Sequence, residues 1–128
     1  MNVVDSSAWL EYFANGSNAS FFAGPIEAID ELIVPSLTIH EVFKRVLQQR
    51  DESNALRAVA VMQQGSVVDL DARLALFAAR VSLDTRLPMA DSIVLATARL
   101  HQATLWTQDA DFASLPGVRY RSRKNRAS

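Results

Sequence analysis

The chain of 128 residues contains no cysteine, which removes disulfides, thiol catalysis and cysteine-ligated zinc together. Any metal site must use oxygen ligands or the two histidines. Long hydrophobic runs are also missing. The longest, such as "IVLATA", fall far short of the roughly 20 residues that cross a bilayer. At the N-terminus, "MNVVDSSAW" meets Asp5 before an apolar leader can form, so a cytoplasmic location without membrane association is expected. There is no internal repeat, low-complexity block or long linker, so residues 1–128 are expected to form a single domain.

What remains is a globular composition. With 49 % hydrophobic and 21 % charged residues, the chain is neither disordered nor membrane-like, and its length suffices for a core without staples. The net charge of −1 conceals an asymmetry. Five of the 13 basic residues, Arg119, Arg121, Arg123, Lys124 and Arg126, lie within the last ten positions. The preceding 118 residues carry eight Lys and Arg against 14 Asp and Glu. A basic segment at 119–128 on an acidic body suits phosphate contacts, and it equally suits a solvated terminus.

Short apolar runs alternate with longer helical ones. "NVV" (2–4), "LIV" (32–34), "SVVDL" (66–70) and "TLW" (104–106) have the β-branched or aromatic character of strands buried on both faces. "VRY" (118–120) reads as an edge strand after Pro116 and Gly117. Helices are predicted near 6–14, 18–31, 36–50, 52–64, 71–86 and 89–102. In the third, Ile39, Val42, Phe43, Val46 and Leu47 form a stripe, with Ser36 as the expected N-cap after Pro35. In the last, apolar residues from Met89 to Leu100 surround nearly the whole circumference, as in a buried helix. This alternation predicts an α/β fold with a largely parallel sheet.

Ligands of such sheets bind beyond the carboxyl ends of the strands. Asp5 follows "NVV", and Asp109 and Asp111 follow "TLWT". The last two fit helix capping, and they also fit a set of carboxylates gathered around a hard cation. Asp91 lies in the first turn of the helix expected to be most buried, where an ionised carboxylate needs a partner or an N-terminal capping role. Glu41 lies off the apolar stripe of its helix, so periodicity alone makes it solvated unless that side turns into a cleft. Asp69 and Asp71 form a rival pair that the residues do not separate from Asp109 and Asp111, although Asp71 looks like an N-cap. His40 and His101 lack paired ligand spacing and read as structural or surface residues. Trp9, Tyr12, Phe13, Phe21 and Phe22 read first as core, with any exposed part able to dock an amphipathic helix.

Taken together, "VVDSSAWLEYF", "PSLTIHEVFKRV", "LPMADSIVLATARLHQATLWT" and "TQDADF" resemble, in order and spacing, the acidic motifs of PIN-domain ribonucleases, above all the VapC-type toxins of toxin–antitoxin modules. The resemblance spans essentially the whole chain. It implies a three-layer α/β/α sandwich around a mainly parallel sheet, with Asp5, Glu41, Asp91 and Asp109 as a catalytic quartet binding Mg²⁺ or Mn²⁺. Asp5 and Asp91 would touch metal directly, Asp109 would hold a second metal or a metal-bound water, and Glu41 would orient or deprotonate the attacking water. Asp111, Ser6 or Ser7, and Thr107 would be auxiliary. The implied activity is hydrolysis of RNA to 5′-phosphate and 3′-hydroxyl ends. The implied partners are a cognate antitoxin and a second copy of the chain, in a homodimer or a toxin–antitoxin hetero-oligomer. Lys44, Arg45, Arg86, Arg99 and the C-terminal basic residues are candidates for attracting RNA to an acidic cleft. The rival readings are a catalytically silent PIN-like binding module and an aspartate-nucleophile phosphotransferase. The second wants a neighbouring acid or fixed lysine that "VVDSSAW" does not provide.

Overall fold

The computed structural model describes residues 1–123, with five strands and six α-helices among them. The strands are β1 (Asn2–Val4), β2 (Leu32–Pro35), β3 (Ser66–Val68), β4 (Thr104–Thr107) and β5 (Val118–Tyr120). The helices are α1 (Ser6–Phe13), α2 (Ala19–Glu27), α3 (Ser36–Gln49), α4 (Glu52–Met62), α5 (Ala72–Thr85) and α6 (Met89–Leu100). All strand neighbours pair in parallel, in the order β3-β2-β1-β4-β5.

Side-chain alternation along the strands separates two cores. Val3, Ile33 and Leu105 point to one face, where Leu74, Ala78 and Val81 of α5 and the buried residues of α6 meet them. Val4, Leu32 and Val34 point to the other, against Trp9 of α1, Phe22 and Ile26 of α2, Val42 of α3 and Met62 of α4. Each central strand is therefore apolar on both sides, as a parallel sheet between helical layers requires. The α/β/α sandwich expected from the resemblance is the observed fold.

Several local expectations are corrected. "SVVDL" is a strand only over 66–68 and is not buried on both faces. It has a single neighbour at the sheet edge, and Val67 is 40 % exposed. The helix expected over 18–31 ends at Glu27, because Ala28 leaves the helical region at ψ 67° and a 3₁₀ turn, Ile29–Glu31, leads into β2. Ser36 does not cap α3. Pro35 occupies the N-cap position, and the Thr38 hydroxyl donates to its carbonyl at 2.7 Å. Leu47 lies outside the buried stripe, with Ile39, Phe43 and Val46 half-buried. Ser92 to Ala98 of α6 are buried without interruption, yet Met89 is exposed at its open end.

The strand order reverses at the centre. From β1 the chain moves to β2 and β3 on one side, whereas β4 and β5 lie on the other. The carboxyl ends of β1 and β4 therefore flank the switch point, where open α/β sheets form their ligand crevice.

Candidate metal centre

Asp5 joins β1 to α1 in the N-cap position, but its carboxylate makes no capping bond. Its backbone carbonyl alone receives the first helical N–H groups, from Ala8 and Trp9, both at 3.0 Å. The side chain is free for another task. Oδ2 accepts from the Ser7 hydroxyl at 2.7 Å and from the Thr107 hydroxyl at 2.8 Å. Oδ1 meets the Ser6 hydroxyl at 3.5 Å, a much weaker contact, and the Ser6 backbone N–H adds to the stabilisation of the carboxylate. One oxygen is thus held more firmly than the other. With 3 % exposure, burial pushes the Asp5 pKa up, the two hydroxyls pull against it, and Asp109 adds to the rise.

Strand pairing brings Thr107 to Asp5. Val4 is in register with Trp106, and the Asp5 N–H donates to the Trp106 carbonyl at 3.0 Å. The Thr107 hydroxyl also accepts from the Asp109 N–H at 2.9 Å, so a single buried side chain ties both strand ends together.

Beyond β4, Asp109 caps the 3₁₀ turn Ala110–Phe112, its Oδ1 accepting from the Asp111 N–H at 2.9 Å. Capping and clustering coexist here. Asp91, Asp109 and Asp111 each offer an oxygen within 4.8 Å of the others. Asp91 is the third residue of α6, whose N-cap is Pro88, so its carboxylate does not cap the helix. Burial, followed by the charges of Asp5, Asp109, Glu41 and Asp111, pushes its pKa up to about 7. Every charged group acting on it in this way is a carboxylate.

Glu41 completes the group from α3, which packs against both α1 and α6. It is half-buried, and burial raises its pKa. The Ser6 hydroxyl and His40 oppose this, while Asp5 reinforces it. A cavity of about 470 Å³ runs beside it, bounded by Ser6, Lys44 and Ala90. The helix therefore turns its polar side into the cleft, which periodicity alone did not favour. Asp71, by contrast, caps α5 by accepting from the Leu74 N–H at 2.9 Å, and neither it nor Asp69 belongs to the close group of Asp91, Asp109 and Asp111.

Two residues of the surroundings escaped sequence reasoning. Asn18 and Gln108 are buried, and the Asn18 amide donates to Gln108 Oε1 at 3.1 Å and to the Ser122 carbonyl at 3.0 Å. Gln108 also donates to the Ser7 carbonyl at 3.4 Å. Polar residues in "NGSN" and between Thr107 and Asp109 read as loop, and only the tertiary fold buries them. Among the described residues, the Asn18 Oδ1 has no partner.

The basic candidates divide. Lys44 and Arg45 border the Glu41 cavity. Arg99 occupies the last turn of α6, eight residues from Asp91 and so about 12 Å along the axis. Arg86 closes α5 in a left-handed conformation, with φ 63°. Arg119 lies over Trp106 at 5.2 Å and Arg121 over Phe21 at 4.2 Å, so the basic segment is packed on aromatic rings through these residues. Lys124 and Arg126 lie outside the described residues. His40 and His101 are exposed. Trp9 and Phe22 are fully buried, while Tyr12, Phe13 and Phe21 are partly so.

A parallel five-stranded α/β domain with carboxylates from four separate segments converging at its switch point defines an acidic-pocket class of α/β protein. The chain belongs to the PIN domain family, whose model matches residues 3–118. Solved structures agree over nearly the full length. A toxin–antitoxin complex from Klebsiella pneumoniae superposes with a TM-score of 0.77 at 23 % identity, covering 93 % of this chain and 96 % of that one. The sarcin–ricin-loop-cleaving toxin VapC20 of Mycobacterium tuberculosis gives 0.74 at 14 % identity, with coverages of 91 % and 95 %. DNA-bound VapBC from Salmonella typhimurium gives 0.72 at 13 % identity, with coverages of 94 % and 96 %. No curated protein matches the sequence.

Proposed function

We propose that the chain, acting as one domain over residues 1–128, is a Mg²⁺- or Mn²⁺-dependent endoribonuclease toxin restrained by a cognate antitoxin. The observation that carries this reading is the convergence of Asp5, Glu41, Asp91, Asp109 and Asp111 without a compensating cation among the charges acting on Asp91. Such a cluster repels itself, and a structural role alone gives no reason to assemble it.

The donor set fits a hard divalent ion. All the donors are carboxylate oxygens, and opposite ligands of Mg²⁺ stand about 4 Å apart, comparable with the 4.8 Å limit that encloses Asp91, Asp109 and Asp111. These three would hold the ion together with Oδ1 of Asp5. When bound, the ion supplies charge neutralisation at a phosphate and acidifies a water. Ser7 and Thr107 fix the Asp5 carboxylate through Oδ2. Glu41, made more basic by burial, takes the proton of the attacking water on its carboxylate. The water oxygen bonds to phosphorus, the P–O3′ bond breaks, and the departing 3′ oxygen takes a proton from solvent water to leave a 3′-hydroxyl opposite a 5′-phosphate.

The toxin and antitoxin parts of the reading draw on structural neighbours solved as toxin–antitoxin complexes. A second copy of the chain is the other expected partner. The test is cleavage of mixed cellular RNA by antitoxin-free protein in Mg²⁺, Mn²⁺ or EDTA, beside folded Asp91→Asn. Cutting that needs metal and disappears in the variant is expected. Cutting by the folded variant at the wild-type rate, or none by the wild type across broad RNA pools, would sink the reading.

A further inference from the structure

A second cavity, of about 770 Å³, lies between α1, α3 and α4. Its apolar floor is made by Leu10, Val46, Ala58 and Val61, and its walls carry Arg45, Arg50, Arg57 and Arg123. Against four arginines stands one lining carboxylate, Glu11, which already accepts from the Asn18 N–H at 2.8 Å. Asp51 lies nearby, held first by the Asn54 backbone N–H and also stabilised by Arg57 and Arg50. The cavity reaches the acidic pocket: Ser7 and Gln108 line it, and the same Ser7 holds Asp5 while Gln108 separates Thr107 from Asp109.

We infer that this groove is the track for the single-stranded RNA backbone beside the acidic pocket, with Arg45, Arg50, Arg57 and Arg123 taking its phosphates. The inference rests on the ribonuclease reading and adds residues to it. An anionic strand at a cluster of carboxylates is repelled unless positive charge meets it close by, and the groove supplies that charge at the pocket's own border. Arginine is suited to this because its planar fork grips phosphate bidentately. The volume, about 770 Å³, falls in the range of small-ligand sites, roughly 300–1,000 Å³, and suits a few nucleotides of single strand. The apolar floor offers unpaired bases a surface that a duplex would not use. Arg50 and Arg57 have no place in the acidic motifs, while Arg86 and Arg99 do not line the groove.

The test uses the full chain in EDTA, which blocks cleavage, with a fluorescent random-sequence single-stranded RNA of about 12 nucleotides. Anisotropy titrations compare wild type, the Arg45→Gln/Arg57→Gln pair, and Arg73→Gln/Arg80→Gln on α5 as a surface control. The groove pair is expected to bind at least tenfold more weakly, with a salt slope shallower by about 0.7 for each phosphate that an arginine no longer neutralises. The control pair should bind like wild type, and Mn²⁺ affinity should be the same in all three proteins. A groove pair that is folded by circular dichroism and binds RNA like wild type overturns the inference. So does a wild-type protein that ignores RNA and binds an acidic peptide instead, which would make the groove a protein-docking site. Metal-dependent cleavage that is indifferent to these arginines would remove the track and spare the nuclease. Arginine-dependent binding without cleavage in any metal would keep the track and remove the nuclease.

Discussion

The Thr107 hydroxyl donates to the Asp5 carboxylate at 2.8 Å across 102 residues of sequence. It also receives the Asp109 N–H, so the positions of two proposed metal-site residues depend on one side chain. Thr107→Val keeps the shape and removes both bonds. Supporting hydrogen bonds of this type typically contribute 10- to 100-fold to metal affinity. Mn²⁺ titration of the variant should show weakening in that range, and an unchanged affinity would mean that Asp5 is positioned by Ser7 alone.

Asp91 contributes to the pH dependence of the metal-free protein, in the same direction as the raised Asp5 and Glu41 carboxyls. Its folded pKa, pushed up to about 7, lies above the ordinary 3.8, so the native state favours the proton. The resulting stability is complete below pH 3.8 and is lost as pH rises through about 7. The group is half exposed, so solvent screening reduces its contribution to about 1 kcal/mol. In EDTA, Asp91→Asn should melt higher than wild type at pH 8 and lose less stability between pH 5 and pH 8. Parallel melting curves over that interval would contradict the assignment.

Glu41 is assigned to the proton, apart from the Asp91, Asp109 and Asp111 triad. Removing a general base typically costs 10²–10⁴-fold in rate. Glu41→Gln should therefore lower kcat within that range while changing Mn²⁺ affinity by less than about threefold, an order-of-magnitude bound set by its place outside the triad. A loss confined to metal affinity would move Glu41 among the ligands.

Asn18 joins the end of β4 to the segment that follows β5 through Gln108 and the Ser122 carbonyl. Asn18→Ala leaves the buried Gln108 oxygen without this donor, and such losses cost about 1–3 kcal/mol. Urea denaturation should register a destabilisation of that size. A change below about 0.5 kcal/mol would show that the network adds nothing net.

Asp71 offers a contrast, because its carboxylate serves only the first turn of α5. Asp71→Ala should cost about 1 kcal/mol in thermal or chemical denaturation. Metal affinity and cleavage should remain at wild-type values, and a fall in either would bring the Asp69 and Asp71 loop back into the site.

The sheet and helices were legible because the central strands are apolar on both faces and the helices carry their own periodicity. Misreadings fell where position in the sheet, rather than residue type, decides burial. "SVV" and "LIV" look alike, yet only the second has a strand on each side. Asp5 and Asp91 stand out in the sequence because the first follows a strand and the second sits in a helix too apolar for an unpartnered charge. Glu41 does not, since its inward turn comes from packing against α1 and α6. The ambiguity between Asp71 and Asp109 was of the same kind. Both cap a turn, and only the pairing of β1 with β4 brings Asp109 to the other carboxylates.

That pairing also governs when the pocket comes into being. Asp5 leaves the ribosome first, whereas Asp109 and Asp111 emerge only after all six α-helices and the first four strands. Because β4 must insert beside β1 before the last two carboxylates arrive, a nascent or truncated chain lacking β4 has no complete pocket. Whatever chemistry the pocket performs is withheld until β4 has been made and has joined β1, so synthesis itself provides the first interval in which a partner can be made ready.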